Sequence, residues 1–388
     1  MTWVQNIKLN TSLSYFLIFL ATACVDRFYY DIDKSVTNGI SIVGFISDQP
    51  GPYEVKVNSI FDIESLESTR TPTSVESIEL SDNLGETEIL RQVSTGVYQT
   101  SPSGIRGLAG RVYKLKVTLF DGKVYESLPD TILAPGSLDS VYLKFVDRYN
   151  DLGIKEYSFD ILFDASYDVK TNNQFIWKFT GTFQAETQPE NYPANKNCFY
   201  LDEIQLCNFV PPCSGLRNVG TNLSPIYERR YPCTCCQCWY YLYNDNLIIS
   251  DDLFNGKGVL KGVNVQNVPL NQWTLLHKIR VDMSQMSLTD NSFRFWKAIK
   301  DQKAAIGSLF QPVTGTIPNN FIQTRGNLVP IEGLFYATAI SNKTQYIKQS
   351  ELAPDIRYLI SLEKPIFGDD CRNLFPNSTN LKPGFWMD

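Results

Sequence analysis

Hydrophobic residues alternate with polar ones along several short stretches in the first third of the chain. The segment 40–47, ISIVGFIS, predicts a buried strand, and the segment 110–120, GRVYKLKVTLF, predicts another that ends at an Asp-Gly hairpin signal. Strands of this length recur about every 8–12 residues, which is typical of two packed antiparallel sheets. The pattern therefore predicts an immunoglobulin-like β-sandwich over residues 36–135.

The remainder of the chain, residues 136–388, is also predicted to be β-rich. Strand patterns with aromatic residues on one face occur at 138–147 and 155–165. One helix is predicted at 292–307, where Phe293, Trp296 and Ile299 form a stripe that would pack on a sheet. A cysteine-rich insert at about 198–238 has few regular signals. The predicted fold class is mainly β, with an N-terminal sandwich, a larger β-rich domain and one or few helices.

A nine-residue apolar run from Tyr15 to Ala23 directly precedes Cys24. A helix that crosses a membrane needs about 20 apolar residues, so this run is too short to span and instead has the length of a signal peptide's apolar region. Small residues followed by cysteine resemble a bacterial lipobox, which implies cleavage before Cys24 and acylation of its thiol. We therefore predict a lipoprotein signal peptide at 1–23 and a tether at 24–35. The alternative is an ordinary secretory signal that ends near a cysteine.

Composition and charge narrow the classes of function. The chain carries a formal net charge of −6 without basic clusters, so nucleic acid is not an expected partner. The only histidine, His277, leaves little scope for histidine-based catalysis or metal binding, and we interpret it as a structural residue of a strand. No cofactor and no metal are predicted.

The chain contains nine cysteines, and removing the lipid-bearing Cys24 leaves an even number. An exported protein favours disulfides, although the densest group, CTCCQC at 233–238, also leaves a zinc or cluster site open as an alternative. The sequence does not resolve the pairing, but the last cysteine is expected to reach back towards the others. The disulfide candidates are Cys198, Cys207, Cys213, Cys233, Cys235, Cys236, Cys238 and Cys371.

Several blocks of the chain, in order, carry a resemblance to a known family. GFISDQPGPYEVKVNSIF, GRVYKLKV, CTCCQCW, FRFWKAIKDQ, LFQPVTGTIPNN and EGLFYATAIS resemble the domain-of-unknown-function family 4249, and the resemblance covers nearly the whole chain after Cys24. It implies an outer-membrane lipoprotein encoded beside a TonB-dependent transporter. The family has no established catalytic residues, so the resemblance implies location and partners but no chemistry.

Three functions are consistent with these observations. The first is a lipid-anchored accessory protein at the outer membrane, facing the cell exterior, that binds ligand for a TonB-dependent transporter or lids it. Its candidate contact residues are Trp239, Tyr240 and Tyr241, whose alternative role is in the core behind the disulfides. The second is a non-catalytic structural subunit of another outer-membrane complex. The third is a surface glycan-acting enzyme that uses carboxylates, with Asp251-Asp252 or Asp369-Asp370 as candidates, but adjacent residues of a strand point to opposite faces.

Overall fold

The computed structural model of the protein describes residues 39–60, 73–149, 152–187, 198–201, 204–207, 217–218, 226–228, 233–244, 246–250, 258–270, 277–306, 317–362, 371–375 and 377–387. Within this part of the chain, no helix is long and apolar enough to cross a membrane. Several predicted features lie outside the described residues: the leader at 1–23, the tether with Cys24, Cys213, Asp251-Asp252 and Asp369-Asp370.

The first part of the chain forms short strands. They are β1 (Gly39–Ser47), β2 (Glu54–Ile60), β3 (Val75–Asp82), β4 (Thr87–Ile89), β5 (Arg91–Ser94), β6 (Val97–Gln99), β7 (Val112–Leu119), β8 (Val124–Ser127) and β9 (Asp130–Thr131).

The later strands include several longer ones. They are β10 (Ser137–Tyr149), β11 (Lys155–Ser166), β12 (Phe175–Glu186), β13 (Cys198–Leu201), β14 (Ile204–Cys207), β15 (Arg217–Asn218), β16 (Tyr227–Glu228), β17 (Gln237–Tyr243), β18 (Ile248–Ile249), β19 (Val259–Pro269), β20 (Lys278–Ser287), β21 (Phe321–Arg325), β22 (Ile331–Thr338), β23 (Ile340–Lys348) and β24 (Ser378–Thr379).

Helices are few among the described residues. They are α1 (Asp290–Ile306), α2 (Pro354–Leu362) and α3 (Cys371–Leu374), with a 3-10 turn at Gln349–Glu351. The prediction of a mainly β fold with few helices is confirmed. The helix predicted at 292–307 corresponds to α1, which begins two residues earlier.

Strand β7 shows how the local pattern produces the fold. Tyr113 and Leu115 are buried while Lys114 and Lys116 are exposed, because successive side chains of a strand point to opposite faces. The strand ends at the predicted hairpin, where Gly122 has a φ of 81°, a conformation that glycine adopts without steric strain. Burial of each large apolar side chain then stabilises the strand on its sheet by about 1.5–3 kcal/mol.

Two sheets enclose the first core. One has the order β22–β1–β2–β6–β5, and the other has the order β21–β8–β7–β3–β4, with β9 paired to β7. Ile42, Ile78 and Phe335 are fully buried between them. The Tyr113 hydroxyl donates to the carbonyl of Arg106 and accepts the Leu108 N–H, a contact like the tyrosine corner of Greek-key sandwiches. The immunoglobulin-like topology and the boundaries at 36–135 and 136–388 stay predictions.

A second core lies between two further sheets. One sheet has the order β23–β20–β12–β17–β24, with β18 paired to β12, and the other has the order β10–β11–β19. Trp177 of β12 is fully buried in this core beside Phe163 of β11, with ring centroids 5.3 Å apart. The opposite side of β12 packs on α1 through a third cluster, which includes Ile176, Trp296 and Tyr336.

Asp130 joins elements from distant parts of the chain. Its carboxylate accepts hydrogen bonds from the hydroxyls of Thr289 (2.5 Å) and Ser292 (3.0 Å), at the start of α1, and from the N–H of Ala337 in β22 (2.9 Å). The side chain is buried, and this burial raises the pKa of its carboxyl group. One carboxylate of β9 therefore satisfies three donors that come from two other elements, the start of α1 and β22.

Candidate functional site

Disulfides brace the cysteine-rich region. Cys233 is bonded to Cys236 and Cys238 is bonded to Cys371, with Cα–Cα distances of 5.6 and 5.9 Å. Cys235 is disulfide-bonded as well. These sulfur atoms are therefore not thiolate ligands of a metal. In the described part of the chain, no group of three or more His, Cys, Asp or Glu side chains is placed to hold a metal ion.

The register of two strands predicts a further disulfide. Cys198 of β13 stands opposite Cys207 of β14. Residues directly opposite in an antiparallel pair have Cα atoms about 4.5–5.5 Å apart, within the range that a disulfide bridges. We therefore expect a Cys198–Cys207 bridge. Mass spectrometric mapping of unreduced peptides checks this, and a peptide that joins Cys198 to Cys235 would contradict it.

The C-terminal segment, residues 377–387, contacts the larger sheet of the second core on its outer face, which points away from that core. Strand β24 pairs with β17, so that Thr379 faces Trp239. The Trp386 ring packs edge-on against the Trp239 ring, with centroids 6.5 Å apart, and both side chains are buried. Because Cys371 is bonded to Cys238 at the start of β17, the disulfide holds this segment against the sheet.

The three candidate contact residues alternate between the two faces of β17. Tyr240 points into the second core, where its ring stacks between Phe183 and Phe375, and burial raises the pKa of its hydroxyl. Trp239 and Tyr241 occupy the opposite face, beneath the C-terminal segment. Trp239 is buried, and its indole N–H has no hydrogen-bond partner among the described residues. Tyr241 is half-buried.

An open cleft of about 490 Å³ lies on this same outer face, beside Trp386. Strands β12, β20 and β23, the 3-10 turn and the C-terminal segment contribute to it, so residues from widely separated parts of the sequence meet there. We call it the basic cleft, because three of its lining side chains are cationic or become so on protonation. Its lining residues are Gln184, Glu186, His277, Lys278, Lys348, Gln349, Ser350 and Trp386.

His277 and Glu186 form an ion pair in the lining of the basic cleft. The distance from His277 Nε2 to Glu186 Oε1 is 2.8 Å, and Gln237 Nε2 donates to the same carboxylate oxygen at 3.3 Å. The hydrogen bond between the two partners raises the pKa of the His277 imidazole and lowers the pKa of the Glu186 carboxyl group. Both side chains are about half exposed, so solvent screens the pair.

We expect the His277 imidazole to titrate above 6.5, its ordinary pKa, in the folded protein. Its contribution to stability is then fully present below pH 6.5 and is lost as the pH rises through the raised pKa. Because the chain has one histidine, a proton NMR titration of its ring gives the value without ambiguity. Glu186→Gln should lower the pKa of His277, whereas the control Glu351→Gln should leave it unchanged. A wild-type value at or below 6.5 would contradict the ion pair.

Aromatic side chains contact two further cations of this face, Lys278 and Arg280. The Lys278 ammonium lies 5.0 Å from the Trp386 ring centroid and 5.6 Å from that of Tyr346, and it donates to the carbonyl of Met387. The Arg280 guanidinium lies 3.9 Å from the Phe385 ring centroid and makes two hydrogen bonds to Asp282, at 2.7 and 2.8 Å. Arg280 is therefore neutralised by its neighbour, while Lys278 is held by uncharged groups.

Sequence reasoning missed most of this site. It placed His277 in a strand with a structural role, but the residue precedes β20 and is exposed at the cleft. Glu186, Lys278, Lys348 and Trp386 were not singled out, because no local motif links them. One local signal was present: in β20, Lys278 and Arg280 alternate with the buried Ile279 and Val281, which predicts a basic outer face.

The groups that line the cleft are of the kind that binds a polar ligand. Ser350 lines it together with the His277–Glu186 pair and the two lysines. Cations, amides and a hydroxyl that converge on one opening are the groups that orient a polar ligand.

The family model described as Domain of unknown function (DUF4249) matches residues 25–344. The match covers most of the chain, so the protein belongs to this family, and the resemblance drawn from its sequence blocks is confirmed. No curated protein matches the chain. Lys348, Gln349, Ser350 and Trp386 follow the matched residues, so part of the basic cleft lies beyond the region that defines the family.

Proposed function

We propose that this protein is a lipid-anchored accessory protein of the outer membrane, facing the cell exterior, that binds ligand for a TonB-dependent transporter or lids it. The observation that carries the proposal is the apolar run that ends directly before Cys24, in a leader without acidic residues. Membership of the DUF4249 family supports the proposal, since the family resemblance implies the same location and the same transporter partner.

The length of the tether supports a role beside a membrane protein. Fifteen residue steps separate Cys24 from Gly39, where β1 begins, and an extended chain of that length spans at most about 50 Å. An acylated Cys24 would therefore keep the folded body close to the outer loops of a barrel in the same membrane. Such tethering raises the effective concentration of each partner for the other.

The basic cleft favours ligand binding over a purely structural role. Cations and hydrogen-bond donors that line one opening are the groups with which a capture protein holds a polar ligand. The disulfides restrict the region next to it, which reduces the entropy lost when a ligand binds. A non-catalytic structural subunit of another outer-membrane complex remains the alternative that the experiment below distinguishes.

Purification of the tagged protein from native outer membranes, followed by mass spectrometry, tests the proposal. We expect a diacylated N-terminus at Cys24 and co-purification of a TonB-dependent barrel. Cys24→Ala should release the protein from the membrane, while Cys233→Ala with Cys236→Ala should leave it attached. Protease treatment of intact cells should digest an outward-facing protein. A mature N-terminus at another residue would refute the anchor, and co-purification of an assembly without a transporter would refute the partner.

A further inference from the structure

Two lysines stand directly opposite each other at the basic cleft. Lys278 of β20 and Lys348 of β23 are partners in the antiparallel register, so their side chains project from the same face. Like charges directly opposite on neighbouring strands destabilise a sheet. Among the described residues, no carboxylate lies within ion-pair distance of either ammonium. Within this part of the chain, no negative charge offsets the repulsion between the two ammonium groups.

The neighbouring groups position the two cations without neutralising them. Lys278 is held by the Trp386 and Tyr346 rings and by a main-chain carbonyl, none of which carries a full negative charge. Lys348 is exposed. The Glu351 carboxylate accepts the main-chain N–H of Lys348 at 3.3 Å rather than its ammonium. Both ammonium groups therefore keep donors for a ligand at the cleft.

The remaining lining groups extend the same chemistry. His277 and Glu186 neutralise each other in the lining, so Lys278 and Lys348 supply the net positive charge of the cleft. The amides of Gln184 and Gln349 and the hydroxyl of Ser350 supply uncharged donors in the same lining. An oxyanion with two or more negative charges satisfies such a set, because charge-assisted hydrogen bonds are the strongest available to it.

We propose that the basic cleft binds a small multivalent oxyanion, such as a polycarboxylate or a phosphate ester, and that Lys278 and Lys348 are its principal binding residues. The volume of about 490 Å³ accommodates a ligand of this size. The proposal does not require the transporter, since it rests on the cleft alone. It names the ligand class that a capture protein at this position would take.

The test is a titration of the purified chain with citrate, inorganic phosphate, acetate and glucose. Binding is followed by the NMR signal of the single histidine, which lies in the cleft, and by calorimetry. We expect saturation by citrate, by phosphate or by both at concentrations below about 10 mM, and none by acetate or glucose. Citrate alone would indicate a polycarboxylate ligand, and phosphate alone would indicate a phosphorylated one. High salt should weaken the binding.

Variants distinguish binding at the cleft from non-specific attraction of anions to the protein surface. Lys348→Gln, which changes an exposed side chain, should weaken the binding about tenfold, and Lys278→Gln should do the same. Lys114→Gln, on an exposed position of β7, should leave it unchanged. Equal affinity in wild type and Lys348→Gln, or equal saturation by glucose, would overturn the proposal. Failure of all four probes to bind would also overturn the oxyanion proposal. That failure would not bear on the proposed function, which is tested separately by co-purification of a transporter.

Discussion

Replacing Asp130 with alanine should lower the free energy of unfolding by about 4 kcal/mol. The wild-type carboxylate is only 3% exposed and accepts hydrogen bonds from Thr289, Ser292 and the N–H of Ala337. Alanine leaves these donors buried without an acceptor, and each unsatisfied group costs about 1–3 kcal/mol. Urea denaturation followed by tryptophan fluorescence measures the loss. The matched control, Asp121→Ala in an exposed turn, should change stability by less than about 1 kcal/mol.

The pH dependence of the same site has a defined sign. Burial raises the pKa of Asp130, so the folded protein binds this proton more tightly than the unfolded chain does. The stability that this residue contributes is therefore greatest below its ordinary value of 3.8 and falls as the pH rises through the raised pKa. Relative to Asp130→Asn, which has no charge to titrate, the wild type should lose stability over that interval. A pH-independent difference in the free energy of unfolding between the wild type and Asp130→Asn would contradict a raised pKa.

Local patterns predict the strands and the helix well because burial follows from side-chain periodicity. The strand predicted at 40–47 is β1, and the helix predicted at 292–307 is α1. In both, the alternation or stripe of hydrophobic residues reports which face is buried. The hairpin predicted between β7 and β8 forms where expected, since Gly122 supplies the positive φ that the turn requires.

The pairing of distant strands could not be predicted in this way. Strand β22 runs parallel to β1, with Ile42 opposite Gly333, although nearly 300 residues separate them in the sequence. A Cβ atom at Gly333 would lie 1.9 Å from the carbonyl oxygen of Ile42, and the residue has a φ of 129°. Position 333 therefore requires glycine because of its close contact with β1. The sequence alone does not reveal this contact, since local periodicity carries no information about strand partners so far apart.

Sequence reasoning also could not predict charged groups whose environment is set by the fold. Lys178 lies on β12 with its ammonium 5.5 Å from the Trp296 ring centroid and 5.8 Å from that of Phe45, and desolvation lowers its pKa. In the sequence it is one lysine in an aromatic strand. The basic cleft presents the same difficulty, because the lysines that face each other there belong to strands separated by a helix and two other strands.

Removing the Cys238–Cys371 disulfide should destabilise the protein more than removing any short-range bridge. The double variant Cys238→Ala with Cys371→Ala opens a connection between residues 133 positions apart. The chain-entropy model assigns such a bridge about 5 kcal/mol, because it restricts a long loop in the unfolded state. Both sulfur atoms are fully buried, so their loss also removes packing beneath the C-terminal segment. Urea denaturation under non-reducing conditions measures the change.

The neighbouring bridge provides a matched control. Cys233 and Cys236 are only three positions apart, so the same model assigns their bridge about 1.5 kcal/mol, and Cys233→Ala with Cys236→Ala should lower stability by no more than that. Only the variant without the Cys238–Cys371 bridge should release the C-terminal segment from the sheet. This release should increase hydrogen exchange around Trp386 and remove one wall of the basic cleft. Ligand binding at the cleft should then weaken in that variant and persist in the control. Equal losses of stability in the two variants would show that loop length does not determine the contribution of these bridges.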